Sequence, residues 1–105
     1  MIPQRILHIN TERGWRGGER QTFLLALELR RRGHHNWIVA RPGEPLAMAA
    51  GKEGLPVIPV RPWGEADLWT AARLARFAQA NEISLFHAHT GHAVGLGALA
   101  VWRSP

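Results

Sequence analysis

Four short apolar runs alternate along this chain with segments of helical period, and no other feature narrows the fold as much. Residues 5–9 (RILHI), 37–40 (WIVA), 56–60 (PVIPV) and 84–88 (SLFHA) read as strands. Residues 18–32, 45–52, 66–81 and 91–102 read as helices. In the first helix Thr22, Leu25, Ala26 and Leu29 fall on one side of a 3.6-residue wheel, widened by Phe23 and Leu27. Arg20, Gln21, Glu28 and Arg31 fall on the other, and Gly33 follows as a stop. In the third helix Leu68, Ala71, Ala72, Leu74, Ala75 and Ala78 are expected to face inward, with Arg73 and Arg76 outward. Strands that are apolar throughout are covered on both faces. Strand–helix alternation implies βαβ units, a parallel sheet and right-handed crossovers. The expected fold is α/β: a Rossmann-like parallel sheet of about four strands, order 3-2-1-4, flanked by helices. Pro56 and Pro59 cannot donate to a ladder, so the third strand belongs at an edge.

Size and composition bound the rest. The chain has 105 residues, which is one small domain or part of one. Hydrophobic residues make up 46% and charged residues 20%, which argues against disorder. With no cysteine, no disulfide, thiol nucleophile or thiolate metal site exists. The start, MIPQRILHIN, lacks the apolar run of a signal peptide, and no stretch suits a transmembrane helix. The expectation is a soluble cytoplasmic domain. The formal net charge is +5, and arginine supplies all the cations except Lys52. Such a surface suits nucleic acid, anionic lipid or phosphorylated small molecules. Arg30, Arg31 and Arg32 suit a helix C-terminus. The five tryptophans are scattered rather than interleaved with cations, so nucleic acid is not expected.

In open α/β sheets ligands bind beyond the carboxyl ends of the strands, where the strand order switches. With order 3-2-1-4 the loops 10–18 and 87–92 face each other there. The first contains ERGWRGGERQ, whose Gly17-Gly18 pair enters a helix. Glycines at such a point let a phosphate approach backbone N–H groups under a favourable helix dipole. The pattern is neither GxGxxG nor a Walker loop, and a tight turn opening a helix explains it equally. Arg13 and Arg16 stand beside it as anion contacts or as solvated cations.

The second loop is HAHTGH, with His87, His89 and His92. Alternation points His87 and His89 to one side of the strand. Three readings stand. Zinc could gather the imidazoles, but the nearest pattern, HxHxDH, needs Asp where Gly91 stands, and further ligands would have to come from His8, His34 or His35. His87 could be a core histidine with a satisfied hydrogen bond. The loop could instead be a polar ligand-binding loop over the switch point.

Taken together, ILHINTERGWRGGERQ, LRRRGH, RPG, GLPVIPV and FHAHTGHAVGLGALA resemble, in order, glycosyltransferase family 4. The resemblance covers nearly the whole chain and identifies residues 1–105 as a partial N-terminal, acceptor-side domain of the GT-B fold. It implies a retaining transferase with a nucleotide sugar as donor substrate, no metal and no other cofactor. It places Gly17 and Gly18 at the donor diphosphate, beside Arg16 as a candidate anion contact. It places His89, Thr90 and His92 on the acceptor side, toward a cell-envelope or lipid-linked glycan acceptor. A basic domain of this kind suits an anionic membrane surface, hence a peripheral position on the inner membrane face.

The family's catalytic-region histidine follows a fifth strand, and its paired glutamates lie in a second domain; this sequence contains neither. The resemblance therefore implies that the 105 residues do not transfer sugar alone. It also leaves the fourth strand as an open edge, an expected route to self-association. Two alternatives remain at this point: a non-catalytic phosphate- or nucleotide-binding module, and a zinc hydrolase fragment built on the HxHxxH cluster.

Overall fold

The computed structural model describes residues 2–61 and 67–89. In chain order the elements are β1 (Arg5–Ile9), α1 (Gly17–Arg31), β2 (His35–Ala40), α2 (Pro45–Lys52), β3 (Val57–Pro59), α3 (Leu68–Ala80) and β4 (Leu85–Ala88). The strands form one sheet in the order β3-β2-β1-β4, and every pairing is parallel. The strand–helix alternation and the order 3-2-1-4 are therefore as expected. The expected final helix over 91–102, Thr90, His92 and most of the loop 61–65 lie outside the described residues.

Alternation along the strands sorts side chains into two cores. Leu7, Ile9, Val39 and Ile58 face α3, where they meet Leu74 and Ala75. Ile38 and Ala40 face the other way, against Ala26 of α1 and Leu46 and Ala50 of α2. Burying an aliphatic side chain of this size stabilises by roughly 1.5–3 kcal/mol, so the two layers hold the sheet between them. β3 lies at one end of the sheet, where Pro59 sits opposite Ala40 without an N–H to offer. Among the described residues β4 lies at the other end.

Boundaries shift modestly from the sequence reading. β2 begins two residues early, at His35, because His35 N–H reaches the Gln4 carbonyl (3.0 Å). β3 is only three residues long. Leu68 corrects the expected inward face of α3: it is 52% exposed. It is the first residue of the helix, just after the Asp67 cap, which accepts the Thr70 N–H at 3.0 Å, and it joins Trp69 on the surface. Arg73 and Arg76 are exposed as expected.

α1 ends as its sequence suggests. Gly33 adopts φ +93, its N–H meets the Arg30 carbonyl (2.9 Å) and the next N–H meets the Leu29 carbonyl (3.0 Å). This double closure satisfies carbonyls the helix cannot. Arg31 and Arg32 pair with Glu28 and stay exposed, as a solvated helix terminus would. Gly33→Ala is expected to cost about 1 kcal/mol, since an L side chain is strained at that φ. Urea unfolding of the variant measures it, and an unchanged midpoint would refute the capping role.

Candidate functional site at the carboxyl ends of β1 and β4

β1 delivers the chain to Asn10, and the loop after it is built from buried hydrogen bonds. The Asn10 N–H extends the ladder to the Val39 carbonyl (3.0 Å). The Asn10 side-chain amide donates to Thr22 Oγ1 (3.1 Å) and lies 3.5 Å from Glu19 Oε2. Its carbonyl oxygen accepts the Glu12 N–H (3.2 Å). Glu19 Oε1 accepts the Arg16 N–H (3.1 Å), and the Thr22 hydroxyl donates to the Gly18 carbonyl (2.8 Å). Asn10, Glu19 and Thr22 are all buried. The result ties the first turn of α1 to the end of β1. Two further contacts pin the loop: Gly14 N–H donates to Glu44 Oε1 (2.8 Å), and Arg41 Nε donates to the Thr11 carbonyl (2.6 Å).

The glycines divide their work. Gly14, with φ +84, makes the turn. Gly17 and Gly18 open α1, and neither has positive φ. A Cβ built on either meets nothing within 4 Å. The tight-turn explanation of the pair thus moves to Gly14. Gly17 and Gly18 leave bare backbone at a helix N-terminus, whose first N–H groups have no partner within the helix.

β4 lies beside β1 with His87 opposite His8, and the His89 N–H extends the ladder to the Ile9 carbonyl (3.1 Å). The parallel register puts the three side chains on one face. The His87 and His89 ring centroids are 3.8 Å apart, and the His8 ring lies 5.5 Å from His87 and 5.6 Å from His89. His8 Nε2 lies 2.8 Å from Asn36 Oδ1, and His8 Nδ1 lies 3.4 Å from His89 Nε2. His8 and Asn36 are buried, whereas His87 and His89 are half-buried. His87 is thus only half-buried, and the fully buried histidine of the cluster is His8.

The Glycosyltransferase Family 4 model matches residues 15–105. This chain belongs to glycosyltransferase family 4. The structural likenesses agree in fold. A glycosyltransferase from Rickettsia africae superimposes with TM-score 0.81 at 21% identity, over 95% of this chain and 27% of that one. HepE from Anabaena, solved with UDP and glucose, superimposes with TM-score 0.74 at 20% identity, over 97% of this chain and 28% of that one. The family 4 chain thus spans about a quarter of each of these structures. Its four-stranded parallel sheet has the Rossmann-like fold of these GT-B glycosyltransferases. A comparison with curated protein sequences finds no match.

In this family 4 chain, burial and neighbouring imidazoles set the protonation of the cluster. Burial pushes the His8 pKa below the usual histidine range, and His87 adds to it, against the Asn36 hydrogen bond that supports the charged form. Burial, then the charges on His87 and His8, lower His89 to about 4. Near neutral pH both rings are neutral. His89 thus offers one N–H and one lone pair rather than a cation.

Arg16, at the helix cap, and Gly17 and Gly18, at the start of α1, come after β1, and His89 comes directly after the neighbouring strand β4. Arg13 and Arg16 are exposed. Among the described residues no helix is long and apolar enough to cross a membrane. Asn10, Glu19, Asn36 and the central role of His8 escaped the sequence reading. For His8 the signal was present, because order 3-2-1-4 already makes the first and fourth strands neighbours. For Glu19 it was the carboxylate three residues beyond Arg16, at the position that reaches back to a helix cap.

Proposed function

We propose that this chain is the donor-phosphate and acceptor-facing part of a retaining, nucleotide-sugar-dependent glycosyltransferase acting on a cell-envelope or lipid-linked acceptor. One observation carries the reading: the bare Gly17-Gly18 start of α1 follows β1 and His89 follows β4, and these adjacent strands form the switch point of the sheet. The N–H groups opening α1 and the helix dipole favour a diphosphate, and they favour it more as charge develops on the leaving nucleotide. Arg16, the residue at the helix cap, adds a cation beside it. His89 orients an acceptor hydroxyl by hydrogen bonding; with its pKa held low it is a weak base. Thr90 and His92 continue the same loop in sequence. The UDP and glucose bound by HepE support a nucleotide sugar as donor class. The net charge of +5 supports work at an anionic membrane surface. The 105 residues alone are proposed to be inactive.

Acceptor-saturation kinetics on the enzyme containing this chain test the acceptor assignment. His89→Ala is expected to lower kcat/KM for acceptor about tenfold, the worth of one well-placed hydrogen bond. His35→Ala, at the exposed amino end of β2, is expected to leave it unchanged. Equal effects of the two substitutions would overturn the cleft assignment.

A further inference from the structure

The three histidines at the ends of β1 and β4 do more than one acceptor contact requires. Each offers a ring nitrogen, and these three atoms lie within 4.8 Å of one another. The sheet assembles them: parallel pairing sets His8 against His87, and the two-residue period of β4 brings His89 to the same face. We propose that His8, His87 and His89 form a three-imidazole binding site for a late first-row divalent cation such as zinc.

Two geometric features point this way. His8 Nδ1 and His89 Nε2 are 3.4 Å apart, longer than a good hydrogen bond, and Nδ1 has no other hydrogen-bond partner among the described residues. A tetrahedral zinc with Zn–N of about 2.0–2.1 Å has its ligand nitrogens about 3.3–3.4 Å apart, so this pair already has the spacing of two ligands. His87 is half-buried and offers a third ring nitrogen within 4.8 Å of the other two.

The other nitrogen of His8 is the second feature. Nε2–H donates to Asn36 Oδ1 at 2.8 Å, and Asn36 Nδ2 in turn donates to the His34 carbonyl at 3.3 Å. This chain fixes the tautomer of His8 that leaves Nδ1 with its lone pair facing the cluster. Ligating histidines are characteristically oriented in this way by a carbonyl or carboxylate on the far nitrogen. A buried core histidine needs Asn36, but it does not need two further imidazoles converging on its free nitrogen.

The donor set decides the class of ion. Three neutral nitrogens without carboxylate suit zinc, copper or nickel and discriminate against magnesium and calcium. Three protein ligands leave a fourth position for water or a hydroxyl-bearing ligand. The site stands or falls independently of the transferase reading, which needs no metal.

The test is titration of zinc, and separately of cobalt(II), into the tag-free chain after dialysis against chelator. Calorimetry is expected to show one zinc per chain, and cobalt is expected to give the intense visible bands of tetrahedral coordination. His87→Ala and His89→Ala are each expected to weaken binding by at least about tenfold, as loss of a ligand should exceed the loss of an outer partner. His35→Ala is expected to have no effect. His8→Ala opens a hole in the sheet, so the two half-buried histidines, checked by circular dichroism, decide the matter. Absence of saturable binding, or equal binding by wild type and the His87→Ala/His89→Ala double variant, overturns the proposal.

Discussion

Asn10→Asp is expected to destabilise the chain by about 3 kcal/mol at neutral pH, although it changes a single amide into a carboxylate of the same shape. Asn10 is fully buried, and its amide nitrogen is the group that faces Glu19 Oε2 (3.5 Å) and Thr22 Oγ1 (3.1 Å). The substitution removes that donor and sets a second carboxylate against a buried one. No cation pairs with Glu19 among the described residues, so nothing offsets the repulsion. Burial and Glu19 both raise the folded-state pKa of the new carboxyl above its unfolded value. The deficit is therefore full above that raised pKa and shrinks as pH falls toward about 4, the unfolded value. Wild type behaves oppositely over the same range. His8 and His89 have folded pKa values below the unfolded 6.5, about 4 for His89. Their contribution is present above pH 6.5 and is lost as pH falls through the folded values. The test is thus the difference between variant and wild type, from urea unfolding at several pH values. A difference near zero at neutral pH, or one that grows on acidification, would show that the Asn10–Glu19–Thr22 network does not hold the end of β1 to α1.

Gly18→Val is expected to cut nucleotide-sugar affinity at least tenfold in the enzyme containing this chain while leaving its stability unchanged or slightly higher. The two readouts separate because nothing within the chain occupies the space beside Gly18. Glycine is a poor helix residue, about 0.3–1 kcal/mol worse than most others, so replacement in the first turn of α1 costs the fold nothing. A phosphate that must reach the backbone N–H groups is displaced by a branched Cβ, and the loss of two charge-assisted hydrogen bonds exceeds the factor stated. Gly18→Ala should fall between the two. Calorimetric titration with a nucleotide sugar, alongside thermal unfolding, reads both quantities. Undiminished affinity in Gly18→Val would remove the diphosphate from the start of α1. A loss of affinity matched by a loss of stability would mean that the glycine serves the fold.

Local sequence carried much of the architecture because the signals are local in origin. Residues 5–9 form a strand because a mostly apolar run has two faces to bury: Leu7 and Ile9 are buried on one face, Ile6 and His8 on the other. Gly33 ends α1 because only its backbone tolerates the closing conformation there. Pro59 sends β3 to an edge through its missing N–H. Leu68 shows the limit: helical period counts it among the inward residues, yet it opens α3 beyond the packed layer and is exposed. Wheel geometry reports direction around a helix, and not how far along the helix the core extends.

The candidate site divides along the same line. Gly17, Gly18 and His89 were legible because glycine pairs and clustered histidines are conspicuous at neighbouring positions. The strand order put His8 within reach of His87, but Asn36, on a third strand, and the hydrogen bond by which it holds His8 at the buried centre were not legible. The sequence alone determined the alternating α/β order, the edge strand, the glycine stop of α1 and the family. Only the tertiary structure decided that His8 is locked by Asn36 against two half-buried histidines, and that Glu19 turns inward to anchor Asn10 and the first turn of α1. The physical reason is register. Periodicity along a chain fixes which way each residue points on its own strand or helix. Which residues of distant strands meet is set by how the crossover helices pack and by the hydrogen-bonded alignment of the sheet.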